Sequence, residues 1–484
     1  MIDLKNLTIK KARQALDAKE FSAVELAQAY LDEINSKNKE LNVYLEVFDD
    51  VLEQAKSADE RIAKGESSPL LGIPLAIKDN ILICGKTFSS ASIILQNYVA
   101  SYDATVIVKL KKQGAIFLGR TNMDDSAMGG STENSAYGVT KNPHDTSRVA
   151  GGSSGGSIVA VASDMALGAL GSDTGGSVRE PAAFCGIVGM KPTYGRVSRY
   201  GLMALGSSLD CIGPAAKNVE DTEIILNAIS GSDILDSTTI TDTTYPKVSM
   251  KKEITIGVPW DLVNAKGVDE KVKENFKYSM EKLQSLGCKV VDISIKNIDM
   301  ALAVYYIIMP AEASTNLSRI DGMRYGYSAD GKTFWDVYKN SRGKGFGKEV
   351  RRRILIGTYV LSAGYYDAYY GKAQKIRAML KQEFAKAFEA VDFIATPTIP
   401  FVAWKIGEKT DPLSMYLADI FTITANIVGV PAISIPSGFS EVEGLPAQAG
   451  KKLPLGIQFM ASHGAEEMLF EIGKKFESIK DNQE

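Results

Sequence analysis

Two serine-bearing glycine clusters stand close together in the chain: "GGSSGGS" at 151–157 and "GSDTGGS" at 171–177. Such stretches can be flexible linkers, phosphate cradles, or loops that present a serine nucleophile. The setting argues against a linker. From Ala150 to Gly195, 11 of 46 residues are glycine, against 43 of 484 overall, and apolar segments flank both clusters closely. A P-loop needs G-x-x-x-x-G-K-[ST], and neither cluster carries the lysine or a G-x-G-x-x-G pattern. "GGSSG" formally satisfies the G-x-S-x-G of a nucleophile elbow. That elbow should follow an apolar strand, whereas "NPHDTSRVA" precedes it here. It also needs a late histidine, and His463 in "ASHGAEEML" reads equally well as a surface residue ahead of a helix.

The fourth arrangement is a serine served by a lysine. Only two histidines are present, His144 and His463, so any general base is expected to be another residue type. Lysine is a base near neutral pH only if burial lowers its pKa by penalising the charged form. Lys78 in "LGIPLAIKDN" directly follows an apolar run and fits that setting. The plainer reading is a strand-end lysine reaching out to solvent. Local sequence leaves these alternatives open.

The elements that position these residues read as an α/β fold. Residues 1–65 show helical apolar spacing in "FSAVELAQAYLDEI" and "VLEQAKSADERIAK". "LLGIPLAIKDNILI" is strand-like, "DATVIVKLKKQG" is a helix ending at Gly114, and "AIFLGRT" is a strand. After "GGSSGGS" comes a helix of small residues, then a buried strand in "MALGALGSD". "TIGVPW", the helix "DEKVKENFKYSMEKLQSLG" and "CKVVDISI" form another βαβ unit. Residues 303–390 are predicted helical, and "VDFIATPTI" a buried strand. The tail offers a helix in "SMYLADIFTITANIVG", strands in "PAISIPS" and "LPLGIQFMA", and a last helix from Ala465. No internal repeat or low-complexity linker interrupts this pattern. One α/β domain over 1–484 is expected, with 1–65 packing on the core and about 303–390 contributing to the substrate pocket.

Composition bounds the function. Hydrophobic residues make up 45% and charged residues 23% of the chain, with a net charge of −3. No global basic field is available to hold nucleic acid by phosphate neutralisation. The four cysteines form no CxxC pair, which disfavours a zinc site and suits a reducing compartment. No apolar run approaches the roughly 20 residues of a spanning helix, and the first residues lack a signal peptide's apolar core. A cytoplasmic protein is expected.

"GGSSGGS", followed by "GSDTGGSVREPAAFCGIVGMKPTYGRVS" and preceded by "LGIPLAIKDN", resembles the amidase signature family. Three separated motifs in the right order make the resemblance specific. It implies a central twisted mixed sheet covered by helices on both faces, and a Ser–Ser–Lys triad. Ser177 matches the nucleophile, Ser153 the bridging serine in a cis peptide, and Lys78 the base. Backbone N–H groups of Thr174, Gly175, Gly176 and Ser177 would then form the oxyanion hole, with Ser154 supporting Ser153. For Asp173 and Arg179, a catalytic role and structural hydrogen bonding weigh equally.

Five further segments, among them "TNMDDSAMGGSTENSAYG" and "MYLADIFTITANIVGVPAISIP", are similar to one branch of that family, which supplies the glutaminase component of tRNA-dependent amidotransferases. The resemblance implies a glutaminase within a heterotrimer, with amidotransferase B and C subunits as its partners. Ammonia passes by tunnel to a partner that amidates Glu-tRNA(Gln) or Asp-tRNA(Asn). ATP and Mg2+ are used by that partner, which also makes most of the contact with tRNA; this chain needs no cofactor or metal. Glutamine carries an α-carboxylate and an α-ammonium, so its site wants one cation and one anion. Arg352, in the triplet Arg351–Arg353, and Asp419 are the candidates. Tyr305 and Tyr306 are expected to line the pocket, and Met128, Gly129 and Ser131 to floor it. Two departures from the family pattern, His144 in "NPHDTSR" where tryptophan is usual and Ser126 where an aromatic is common, are expected to tune packing. The alternative is a stand-alone hydrolase of small amides.

Overall fold

The computed structural model describes residues 2–241, 243–246, 248–409, 411–441 and 452–479. Its centre is an eleven-stranded mixed sheet. In chain order the strands are β1 (Tyr44–Val47), β2 (Pro74–Lys78), β3 (Ile116–Thr121), β4 (Gly168–Asp173), β5 (Val188–Lys191) and β6 (Cys211–Ala216), then β7 (Thr255–Val258), β8 (Lys289–Asp292), β9 (Phe393–Pro397), β10 (Ala432–Glu441) and β11 (Lys452–Met460). Their order across the sheet is β1-β3-β2-β4-β6-β5-β10-β11-β9-β7-β8. The β3-β2-β4 and β9-β7-β8 groups run parallel, while the middle of the sheet is antiparallel.

Every residue of β2, β4, β5, β6 and β9 is buried, so helices must cover both faces there. The helices Ile9–Asp17, Ala23–Leu41 and Val51–Ala63 contribute to the same apolar cluster as β2, β3 and β4. Ser22 starts the second of these with a capping box to Glu25. The predicted helix after residue 104 runs Thr105–Gln113 and ends where Gly114 turns left-handed, φ +81°.

The structure departs from the sequence pattern in four places. β1 interrupts residues 1–65, which pattern alone assigns to helix. β5 and β6 carry no strand signal, because "VGMK" and "CIGPAA" are short and poor in β-branched residues. Gly213 in β6 is where bare backbone is needed: a Cβ there would lie 2.1 Å from the Met190 carbonyl oxygen. The 303–390 stretch is divided into the helices Ala301–Asn316, Phe334–Gly345, Lys348–Val360 and Lys372–Ala390. The first and third meet backbone to backbone, since a Cβ on Gly357 would sit 1.8 Å from Pro310 O. Finally, "SMYLADIFTITANIVG" is broken between Leu417–Ile420 and Ile423–Val428. The break frees carbonyl groups that the site uses.

Candidate active site

Lys78 ends β2 and is fully buried. Its Nζ donates to Ser153 Oγ at 2.8 Å, Ser154 Oγ at 2.8 Å and Ser172 Oγ at 2.9 Å. Three hydroxyl oxygens match the three donors of an ammonium, yet no carboxylate among the described residues bonds to it. Burial therefore dominates and pulls its pKa down to about 7, against the weaker upward pull of Asp124, Asp173 and Asp210. A neutral amine is thus reachable at physiological pH, and its lone pair can take a proton. Ser154 already donates its own proton to Ser172 O at 3.1 Å. That leaves the Ser153 and Ser172 hydroxyls, and Ser172 Oγ also accepts from Asn80 Nδ2 at 2.9 Å.

Ser153 follows a cis peptide from Gly152 and is fully buried. Its carbonyl accepts from the Asp124 N–H at 3.2 Å. Glycine is required before it, since a Cβ on Gly152 would lie 2.2 Å from Asp124 Oδ2. The Ser154 N–H donates to Ser177 O at 3.1 Å, which ties the first glycine cluster directly to the second. Ser177 itself is half-buried and lines a cavity of about 300 Å³.

The loop before Ser177 is held rigidly. Arg179 and Asp173 are both fully buried and form a two-pronged pair, Nε–Oδ2 at 3.0 Å and Nη2–Oδ1 at 2.9 Å. Arg179 Nη1 also donates to Thr422 O at 2.9 Å and to Gln458 Oε1, and Nη2 to Asn426 Oδ1 at 2.7 Å. Burial alone would raise the Asp173 carboxyl, but Arg179 and Asn426 hold it down at about 2. These contacts tie Asp173 and Arg179 to each other and to the segment around Thr422. The same carboxylate accepts from Gly176 N–H at 2.9 Å. Of the four amides expected to serve an oxyanion, that of Gly176 is thus hydrogen-bonded to Asp173. Gly176 has φ +137°, and a Cβ on Gly175 would lie 2.6 Å from the Tyr305 hydroxyl.

The cavity wall brings together Gly129, Ser131, Tyr305, Tyr306, Arg352, Arg353 and Asp419. Met128 does not join them. It is fully buried in the apolar cluster under the helices; its N–H donates to Asp125 O at 3.0 Å and its carbonyl accepts from Asn134 Nδ2 at 3.2 Å. Tyr306 donates to Asp419 Oδ2 at 2.6 Å and stacks on Tyr416 with ring centroids 3.7 Å apart. Burial raises the Asp419 carboxyl above its usual range, against the Tyr306 bond and the Arg353 charge. The arginine triplet divides its labour. Arg351 points outward and donates to Gly343 O. Arg353 is buried, donates to Glu349 Oε1 at 2.6 Å and lies over the rings of Tyr306 and Tyr416. Arg352 is anchored by Glu349 Oε2, with its side chain 45% exposed on the cavity. Ser172, Glu349, Tyr416 and Thr422 are site residues that sequence reasoning misses. Only Ser172 has a signal there, as the serine beside Asp173 in "GSDTGGS".

Neither histidine belongs to this cavity. His144 Nε2 pairs with Cys185 O at 3.0 Å, and His463 Nε2 with Val428 O at 3.3 Å. The elbow arrangement consequently has no base here. Ser126 adopts a left-handed conformation, φ +53°, and donates to Asp125 Oδ1 at 2.8 Å.

A buried lysine among serines, beside a glycine-lined cavity, can support serine-based acyl transfer. The profile described as Amidase matches residues 25–470. The chain belongs to the amidase family. Among its relatives, the A subunit of glutamyl-tRNA(Gln) amidotransferase from Desulfatibacillum aliphaticivorans is 49% identical, over 99% of this chain and 98% of that protein. The crystal structure of the corresponding A subunit from Thermotoga maritima is 41% identical, with TM-score 0.78, and covers 97% of this chain and 94% of that one. A peptide amidase from Stenotrophomonas maltophilia, 27% identical, covers 98% and 97% with TM-score 0.80. The mixed sheet flanked by helices is thus the amidase fold. Among the described residues, no helix is long and apolar enough to cross a membrane.

Proposed function

We propose that this chain is the glutaminase component of a tRNA-dependent amidotransferase, with Ser177, Ser153 and Lys78 as its triad. The observation that carries the reading is the Lys78 amine, buried among hydroxyls and poised near neutrality, below a cavity bearing both a cationic and an anionic side chain. Ser177 Oγ attacks the glutamine carboxamide carbon as its proton passes through Ser153 to Lys78. The amides of Thr174, Gly175 and Ser177 supply N–H groups for the developing oxyanion, each such donor being worth about 3 kcal/mol. Collapse of the tetrahedral intermediate breaks the C–N bond. Lys78 returns the proton by way of Ser153, and ammonia leaves. Water then cleaves the acyl-enzyme to glutamate and regenerates Ser177.

Glutamine specificity follows from the wall. Arg352 presents a guanidinium fork to the α-carboxylate, steadied by Glu349. Asp419 accepts the α-ammonium, whose charge favours the ionised carboxylate. Arg353 acts as a buried anchor. The domain is a single unit in which the helices of residues 301–390 furnish the substrate side. Relatives named as subunits support assembly with B and C partners, which handle ATP, Mg2+ and tRNA; the near-neutral net charge of −3 suits that division. Three buried free cysteines and one exposed suit the cytoplasm.

The test uses the reconstituted complex. Ser177→Ala should abolish glutamine-driven amidation of Glu-tRNA while amidation driven by added ammonia continues. Retained glutamine-driven amidation would sink the mechanism. Brisk turnover of small amides by the lone chain, indifferent to partners, would favour a stand-alone hydrolase.

A further inference from the structure

A second cavity, of about 350 Å³, shares no lining residue with the one that holds Ser177. Its wall includes Ser208, Tyr245, Arg377, Lys381 and His463. Arg377 is buried on the helix Lys372–Ala390. Its Nε donates to Ile427 O at 2.9 Å, Nη1 to Ser208 Oγ at 2.7 Å and Nη2 to Ser208 O at 2.8 Å. A guanidinium has five N–H groups, so one remains on each Nη. All three acceptors are neutral, so the compensating charge comes from beyond them, from Glu312.

Lys381 follows one turn later on the same helix. Its ammonium has no hydrogen bond or ion pair among the described residues, and the neighbouring charge felt there is Arg377. Two carboxylates stand nearby without lining the cavity. Glu312, which acts on Arg377, accepts from the Ser208 N–H at 2.9 Å. Glu466, which acts on His463, accepts from the Thr193 N–H at 2.9 Å. Burial lowers the pKa of Arg377, Lys381 and His463 alike, and Lys381 is lowered further by Arg377. The cavity wall thus carries two cationic side chains and, among the described residues, no carboxylate. His463, stacked on Tyr245 with centroids 5.1 Å apart, adds a flat aromatic surface beside them.

We propose that this cavity binds a small phosphate-type dianion, inorganic phosphate or a phosphomonoester, through a free Nη N–H of Arg377 and the Lys381 ammonium. Two cations balance a dianion. A monocarboxylate would leave one cation unmatched. The assignment stands independently of the glutaminase reading.

Titration calorimetry on the full chain at constant ionic strength tests it, with inorganic phosphate, phenyl phosphate and acetate as probes. Saturable 1:1 binding of phosphate is expected, with acetate about tenfold weaker. Tighter binding of phenyl phosphate than of phosphate identifies a phosphomonoester as the ligand class; equal binding identifies the free ion. Lys381→Gln should weaken phosphate about tenfold without lowering the unfolding temperature of the unliganded protein. Absence of saturable binding, or affinity untouched by Lys381→Gln, overturns the proposal. So does an oligonucleotide that binds more tightly than phenyl phosphate, since that would make the patch part of a nucleic-acid surface.

Discussion

The two halves of the proposed catalytic cavity are built on opposite terms. On the sheet side, Lys78, Ser153 and Ser154 are all fully buried, and the Lys78 amine bonds to both hydroxyls. On the helical side, Arg352 is nearly half exposed, and Asp419 meets Tyr306 across 113 positions of sequence. The first half derives its chemistry from the exclusion of water, because a solvated lysine would stay protonated. In the proposed function the second half recognises charge, and for that it must remain reachable. Damage to the sheet side should therefore appear in kcat, and damage to the helical side in KM.

Lys78→Met is the severest test. It removes the proton acceptor and leaves three hydroxyls without their shared partner. Steady-state glutaminase assays should show kcat lower by about 10³-fold with KM little changed. A variant that loses only affinity would contradict the division. Arg179→Met comes next, and it reads out on folding. It strands the Asp173 carboxylate in the interior, where breaking a buried pair costs about 3 kcal/mol or more. Denaturant titration should register that loss. Unchanged stability would show that Asn426 and the Gly176 amide suffice to hold Asp173.

On the helical side, Asp419→Asn and Arg352→Gln should each raise KM for glutamine by about 10- to 100-fold, with kcat within a few-fold. Arg353→Gln sharpens the contrast. It should lower stability more than Arg352→Gln does, because Arg353 is buried against Glu349 and two aromatic rings. If Arg353→Gln raises KM more than Arg352→Gln, the two arginines exchange roles.

The same division explains how far the sequence can be read. Lys78, Ser153 and Ser177 are legible because strand ends and tight glycine turns confine them to short contiguous motifs. The engagement of the Gly176 amide by Asp173 is not, since it depends on how the loop folds back. Neither is the sorting of Arg351, Arg352 and Arg353, because consecutive helical residues point about 100° apart and only packing decides which meets the cavity. Met128 defeats the pattern for a related reason: an apolar residue between pocket-lining neighbours turns into the core. Thr422 and the break in "SMYLADIFTITANIVG" are invisible because helical periodicity continues across a break stabilised from outside, by Arg179 and Gln458.

The smallest expected effect concerns the histidines and the pH profile. Lys78 must be neutral to accept a proton, and its pKa stands near 7. Below that value the protonated fraction grows, so kcat/KM should fall about tenfold per pH unit on the acid side and level off above. A histidine could mimic such a midpoint, but burial pushes His463 below 6.5. His144 is bonded to Cys185 O and packs edge-on against Phe439, away from the cavity. His144→Gln should therefore leave both the midpoint and the plateau within about twofold, consistent with a substitution remote from the reacting groups. A midpoint displaced by that change would mean that the titration read in the profile is not that of Lys78.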